Sequence, residues 1–258
     1  MMTPYLTPAA GERSSAGLDL FCLPCAGGGA SAYERWQERL DAHGVGVRVL
    51  PVRLPGREER AHEPRFTRLA DLVAELDEQL DEALSRPHVL YGHSMGAFVA
   101  HALTLARQRR GAAPPRALVL SSHRAPHVRP TRILDPDADD ETLADALAEL
   151  GGIPRELARR RRFRAAYMPL VRDDLRLCTG WVEPADIEPL AVPLHLFAGA
   201  DDHLVPVPAM AAWRDHAGRG SELRVLPGGH FFVRTHTERL LRELAAVVAR
   251  YAPPLPVV

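Results

Sequence analysis

Ser94 stands in the frame Gly92-His93-Ser94-Met95-Gly96, after the apolar run Pro87-His88-Val89-Leu90-Tyr91 and before Ala97-Phe98-Val99-Ala100-His101-Ala102-Leu103. A serine spaced this way between a strand and a helix reads as a nucleophile elbow, and its chemistry is acyl transfer through an acyl-serine. The turn strains the serine and brings residues two positions away into contact, so glycines at both flanks relieve the crowding. The helix that follows directs its unpaired N–H groups at the serine oxygen. A glycine-rich turn holding a serine by chance is the plainer reading. It leaves the flanking strand, the flanking helix and the downstream residues unexplained.

A serine hydroxyl is a poor nucleophile near neutral pH; it needs a base, and the base needs a group that fixes its tautomer. Of the 12 histidines, His230 alone sits in a glycine turn after a late strand, Leu226-Pro227-Gly228-Gly229-His230-Phe231-Phe232, and is assigned as the base. His93 is held by the elbow too close to Ser94 to serve, and is expected to line the pocket or pack beneath the turn. Between them, Leu194 to Pro206 runs a strand into a loop carrying Asp201 and Asp202. On chemistry alone either carboxylate can accept the His230 N–H. The tetrahedral oxyanion needs two preorganised donors, and backbone amides serve without rotamer entropy or titration. Met95 supplies one. The turn Pro24-Cys25-Ala26-Gly27-Gly28-Gly29-Ala30 supplies the other, from Ala26 or Gly27. A phosphate cradle is excluded there because no Gly-Lys-Ser/Thr follows.

These groups must be carried on elements that bring them together. Apolar runs of strand length recur at Leu18 to Leu23, Val45 to Val52, His88 to Tyr91, Ala117 to Ser121, Leu194 to Ala198 and Glu222 to Leu226. Helical patterns lie between most of them. Leu69, Leu72, Val73, Leu76, Leu80 and Leu84 form one amphipathic stripe; Leu240, Leu241, Leu244, Val247 and Val248 form another. The alternation implies an α/β protein with a mostly parallel central sheet, helices on both faces, and ligands at the carboxyl ends of the strands. It breaks between about residues 123 and 189, where Asp139 to Leu150, Pro154 to Tyr167 and Pro169 to Cys178 read as helices of a lid. This is the layout of an α/β hydrolase, in which the triad runs serine, acid, histidine along the chain. That pattern places the acid three residues after a glycine, which selects Asp202 after Gly199. The expected organisation is a flexible tail over residues 1–17 and one domain over 18–258, with the lid inserted at about 123–189.

The chain has 258 residues, enough to bury a large core without staples, and its net charge of −1 argues against nucleic acid or a membrane surface as partner. No run reaches transmembrane length. An odd count of 3 cysteines and no charged-then-apolar leader point to a reducing, cytoplasmic setting. Cys22-Leu23-Pro24-Cys25 has the spacing of a redox pair or half a zinc site. No second pair completes such a site, and Cys22 in an apolar strand reads as a small buried hydrophobe. No metal or organic cofactor is expected. Arg159-Arg160-Arg161-Arg162-Phe163-Arg164 is the strong charge run of the chain. It is read either as a solvated helix face or as a docking site for an acidic protein.

Taken together, Leu23-Pro24-Cys25-Ala26-Gly27-Gly28, Leu54-Pro55-Gly56-Arg57-Glu58-Glu59-Arg60 with Glu63-Pro64, Tyr91-Gly92-His93-Ser94-Met95-Gly96-Ala97 and Gly228-Gly229-His230-Phe231-Phe232 resemble the type II thioesterases that accompany polyketide synthases and nonribosomal peptide synthetases. The Pro-Gly-Arg segment is the specific part, since general esterases usually lack it. The resemblance implies hydrolysis of acyl groups from the phosphopantetheine arm of an acyl or peptidyl carrier protein, with small acyl thioesters as simpler substrates. Phosphopantetheine then belongs to the substrate. Cys25 stands where the family usually has histidine or tyrosine, and His101 where an aromatic residue is common; both bear on pocket shape. The same triad serves an acyltransferase or cyclase that excludes water, or a generic carboxylesterase that prefers oxygen esters. A length without an adjoining carrier domain favours hydrolysis, and a non-catalytic binder is expected to lose triad members.

Overall fold

The computed structural model describes residues 3–6, 17–129, 133–179 and 189–252. Six strands form one sheet: β1 (Asp19–Leu23), β2 (Arg48–Pro51), β3 (His88–His93), β4 (Ala117–Ser121), β5 (Leu194–Gly199) and β6 (Ser221–Leu226). All pairings are parallel and the order is β2-β1-β3-β4-β5-β6. The helices are α1 (Trp36–Ala42), α2 (Leu69–Gln79), α3 (Asp81–Leu84), α4 (Met95–Arg109), α5 (Asp140–Glu149), α6 (Arg155–Ala158), α7 (Arg161–Thr179), α8 (Val207–Ala211), α9 (Phe232–Thr235) and α10 (Thr237–Val248).

Strands β1, β3, β4 and β5 are buried along their whole length because helices cover both faces, which is why they read as continuous apolar runs. Phe21, Leu23, Leu90, Leu118 and Leu196 pack with the α2 stripe and α4, while Leu20, Cys22, Val89, Val119 and Phe197 pack with α1 and α10. From β1 the chain steps outward to β2, and from β3 it steps the opposite way through β4, β5 and β6. The crevice at the carboxyl ends of β1 and β3 is therefore the topological switch point, where ligands bind on such sheets. Register sharpens this: Leu23 lies opposite Gly92, so the turn after β1 comes level with Ser94.

Two expectations are corrected. Residues 3–6, read as part of a loose tail, are packed: Tyr5 is buried with its carbonyl accepting the Arg53 N–H, and Arg60 stacks 4.1 Å above its ring. The remainder of that segment, residues 1–2 and 7–16, lies outside the described residues, as do 253–258 of the domain. In the segment expected to form a lid, the pair of helices expected to break before Pro169 is instead α6 followed by one long helix, α7, that runs through Pro169. A proline inside a helix costs about 3 kcal/mol, whereas Met168, Val171 and Leu175 are each buried in one apolar cluster that includes Leu143 and Leu147 of α5. Each such burial contributes about 1.5–3 kcal/mol, so packing overrides the breaker. Residues 130–132 and 180–188 of that segment fall outside the described residues.

Candidate active site

Ser94 has φ +53° and ψ −122°, a conformation that L side chains rarely adopt. The surroundings enforce it: the Ser94 N–H donates to the Ser121 carbonyl at 2.8 Å, and its own carbonyl accepts the Ala97 and Phe98 N–H groups at 2.9 and 3.3 Å. A Cβ at Gly92 would run into the Gly96 carbonyl, and a Cβ at Gly96 into the carbonyl of Leu23. The first glycine thus admits α4 and the second admits the end of β1. The close approach at Gly96 sets the Leu23–Pro24 backbone beside the start of α4.

The residues chosen from sequence converge. Ser94 Oγ lies 3.0 Å from His230 Nε2, and His230 Nδ1 lies 2.9 Å from Asp202 Oδ2. Strand ends make this happen, since Gly199 at the end of β5 is level with Leu226 at the end of β6. A side chain at Gly199 would meet the Gly228 carbonyl at 2.6 Å, so the acid and base loops touch through glycine. Asp202 is 3% exposed, and its other oxygen accepts the Leu204 and Val205 amides at 3.0 and 2.9 Å. Those bonds fix the carboxylate before the histidine meets it. Asp201 is exposed, its amide donating to the Gly228 carbonyl. His93 is buried with Nδ1 2.9 Å from Ser121 Oγ and its ring 5.4 Å from that of His230. Burial, with His230 adding to it, holds its pKa well below the usual imidazole range, so it stays neutral beneath the elbow.

A cavity of about 90 Å³ opens beside Ser94 and His230, walled by His123, Arg124, Leu134, Leu175, Cys178 and Val205. His123 stacks on Phe98 at 4.8 Å and burial lowers its pKa to about 3. His101, expected to bear on pocket shape, does not line this cavity; it is buried edge-on against Trp213 at 4.8 Å. Among the described residues the 3 cysteines are free thiols, and burial pushes the pKa of each upward. No group of three or more His, Cys, Asp or Glu among them is placed to hold a metal ion.

The turn after β1 differs from expectation in one respect. Gly27 has φ +70°, and its amide donates to Asp174 Oδ2 at 2.8 Å. Of the two candidate donors, Gly27 is therefore engaged by helix α7. The Gly28 amide donates to the Cys25 carbonyl at 2.9 Å, and the amides of Ala30 and Ser31 donate to the Glu58 carboxylate at 2.9 and 3.0 Å. In the sequence Glu58 stands only as part of the Pro-Gly-Arg segment. Its role was not readable because the contact joins two loops 28 residues apart.

Comparison with known proteins places this arrangement. The family model described as Thioesterase domain matches residues 19–247. Linear gramicidin dehydrogenase LgrE of Brevibacillus parabrevis is 33% identical over 240 residues, covering 90% of this chain and 88% of its own. RedJ, a thioesterase from the prodiginine biosynthetic pathway in Streptomyces coelicolor, superposes with a TM-score of 0.84 at 35% identity, over 94% of this chain and 96% of its own. YbtT, a type II thioesterase from the yersiniabactin NRPS/PKS pathway, gives 0.85 at 26% identity, over 96% and 100%. A match that begins with β1 and ends in α10 leaves no strand of the sheet outside it, and the chain belongs to the thioesterase family with the α/β-hydrolase fold, among its type II members.

Proposed function

We propose that this enzyme hydrolyses acyl groups from the phosphopantetheine arm of acyl or peptidyl carrier proteins, clearing stalled or aberrant units from a synthase. The observation that carries the reading is the relay of 3.0 and 2.9 Å from Ser94 through His230 to Asp202. With Nδ1–H donating to Asp202, His230 Nε2 takes the Ser94 proton as Oγ attacks the thioester carbonyl. The Met95 and Ala26 amides receive the oxyanion, Gly27 being engaged elsewhere. The C–S bond then breaks and the sulfur leaves with the proton from Nε2. A thiol of pKa about 8.5 departs more readily than an amine, so the base serves mainly to activate Ser94 and then water. Water adds to the acyl-serine by the same route, releasing the acid and restoring the hydroxyl.

In this reading no cofactor takes part; phosphopantetheine arrives on the substrate. The name of LgrE raises a dinucleotide reading for the glycine turn after β1. The turn is unsuited to it, because the amides at the head of the next helical segment are taken by the Glu58 carboxylate, which repels phosphate. Among the described residues no helix is long and apolar enough to cross a membrane.

The test is acid release from a panel of acyl-carrier proteins and the matching oxygen esters. Faster turnover of the carrier-bound thioesters supports the proposal. Preference for oxygen esters indicates an esterase, and acyl-serine that yields product only with an added alcohol or amine indicates a transferase or cyclase.

The partner's place is proposed on the lid. Arg159, Arg160, Arg161 and Arg162 are exposed, whereas Arg164 turns inward to the Ala158 carbonyl and Glu141. Helix α7 thus carries cations at one end and, about 20 Å along its axis, the cavity residues Leu175 and Cys178 at the other. Reversing Arg161 and Arg162 to Glu is expected to raise KM for carrier-bound substrate severalfold, in a salt-dependent way, while a small free thioester is turned over as before. Equal effects on both substrates would return the run to a solvated face.

A further inference from the structure

We propose that the buried Arg57–Asp174 pair is a positioning device that fastens the oxyanion turn after β1 to lid helix α7, so that the second oxyanion donor is placed only while the lid is seated. The proposal rests on the reading of Ser94 as nucleophile and adds the part that holds its electrophilic partner.

The pair joins elements 117 residues apart. Arg57 Nη1 and Nη2 donate to Asp174 Oδ2 and Oδ1 at 2.9 and 2.8 Å, a two-pronged contact whose side chains are 6% and 0% exposed. Asp174 Oδ2 also accepts the Gly27 amide at 2.8 Å, and Arg57 Nη1 also donates to the Gly28 carbonyl at 2.9 Å. A third contact comes from the same helix, where the Tyr167 hydroxyl donates to the Gly27 carbonyl at 3.0 Å. The lid therefore grips Gly27 by both its N–H and its C=O; the first bond fixes the Ala26–Gly27 peptide plane, so that only φ and ψ of Ala26 separate the Ala26 N–H from a held plane. Glycine is required at 27 by its positive φ and because a Cβ would collide with Tyr167.

Burying two charges is costly, and replacing such a pair by apolar residues of similar size is often neutral or stabilising. Stability alone thus gives a weak reason for an ion pair here. An apolar pair, however, offers nothing to the Gly27 amide or the Gly28 carbonyl, and of the ties described only the Tyr167 hydroxyl still holds the turn to α7. Preorganisation of an oxyanion donor is the benefit that only this carboxylate supplies.

The experiment compares the native enzyme, Asp174→Leu with Arg57→Met as a double variant, and Tyr167→Phe. For each it reads Tm, kcat, KM on a carrier-bound thioester, and affinity for two ligands: the product acid and a trifluoromethyl ketone that traps Ser94 as a tetrahedral oxyanion. The double variant is expected to fold with a modestly lower Tm, because the Gly27 N–H and Gly28 C=O lose partners, to keep its KM, to lose kcat by a factor on the order of 10², and to lose trifluoromethyl ketone affinity in parallel while product affinity holds. Native kcat in a folded double variant overturns the proposal, as does a loss confined to KM and product affinity. If the double variant does not fold, Tyr167→Phe decides by the same split between the two ligands. Failure of the native enzyme to hydrolyse any thioester in a Ser94-dependent way would sink the underlying reading instead, so the two are told apart.

Discussion

Alanine at position 94 or at position 230 is expected to lower kcat for thioester hydrolysis by 10⁴–10⁶-fold, roughly the loss seen when a serine-histidine unit is dismantled. The two losses should not multiply. Ser94 Oγ and His230 Nε2 share one proton across 3.0 Å, so removing either member leaves the other without a task. A Ser94→Ala/His230→Ala double variant should therefore sit on the same floor as the singles, with residual rate supplied by the Met95 and Ala26 amides. Steady-state kinetics on one acyl-carrier substrate checks this. A double variant another thousandfold slower than either single would show the two acting separately and would break the relay.

Asp202→Asn is expected to cost about 10⁴-fold in kcat, whereas Asp201→Asn should stay within a fewfold of native. The asymmetry follows from geometry: one acid is 3% exposed, held by two loop amides and by His230, and its neighbour faces solvent. Asparagine at 202 can present its N–H₂ to Nδ1, which selects the tautomer carrying a proton on Nε2 and leaves Ser94 facing a donor rather than an acceptor. The deficit should thus be one of kcat, with KM little changed. A near-native Asp202→Asn beside a crippled Asp201→Asn would overturn the assignment.

How much of this was legible in the sequence depends on how local each signal is. The elbow, the acid loop and the histidine turn were readable because each is a strand followed at once by glycine and a reactive side chain, and parallel topology brings strand ends together. Asp202 needed the hydrolase spacing as well, since two adjacent carboxylates are chemically alike; the Leu204 and Val205 amides that distinguish them belong to the folded loop. Asp174 was not readable. It lies on a helix rich in charged residues, where an aspartate looks like part of a solvated face, and its partners Arg57 and Gly27 are 117 and 147 residues away. Tyr5 was missed for the opposite reason: four described residues have no periodicity, and what places them is Arg60 and the backbone at Arg53. Pro169 misled because a local breaking rule was applied where three buried side chains outweigh it.

The level alignment of strand ends has a consequence for how the enzyme comes into being. The chain must pair β3 with β4, β4 with β5 and β5 with β6 before Ser94 meets a base 136 residues downstream, and β1 with β3 before the turn after β1 reaches the serine. No fragment of the sheet holds half a site with half the activity. Parallel pairing of distant segments is slow because loop closure comes before its reward. During refolding, helix signal and compaction should therefore run ahead of catalysis, and turnover should return as one late phase whose timing reports the docking of the last strand.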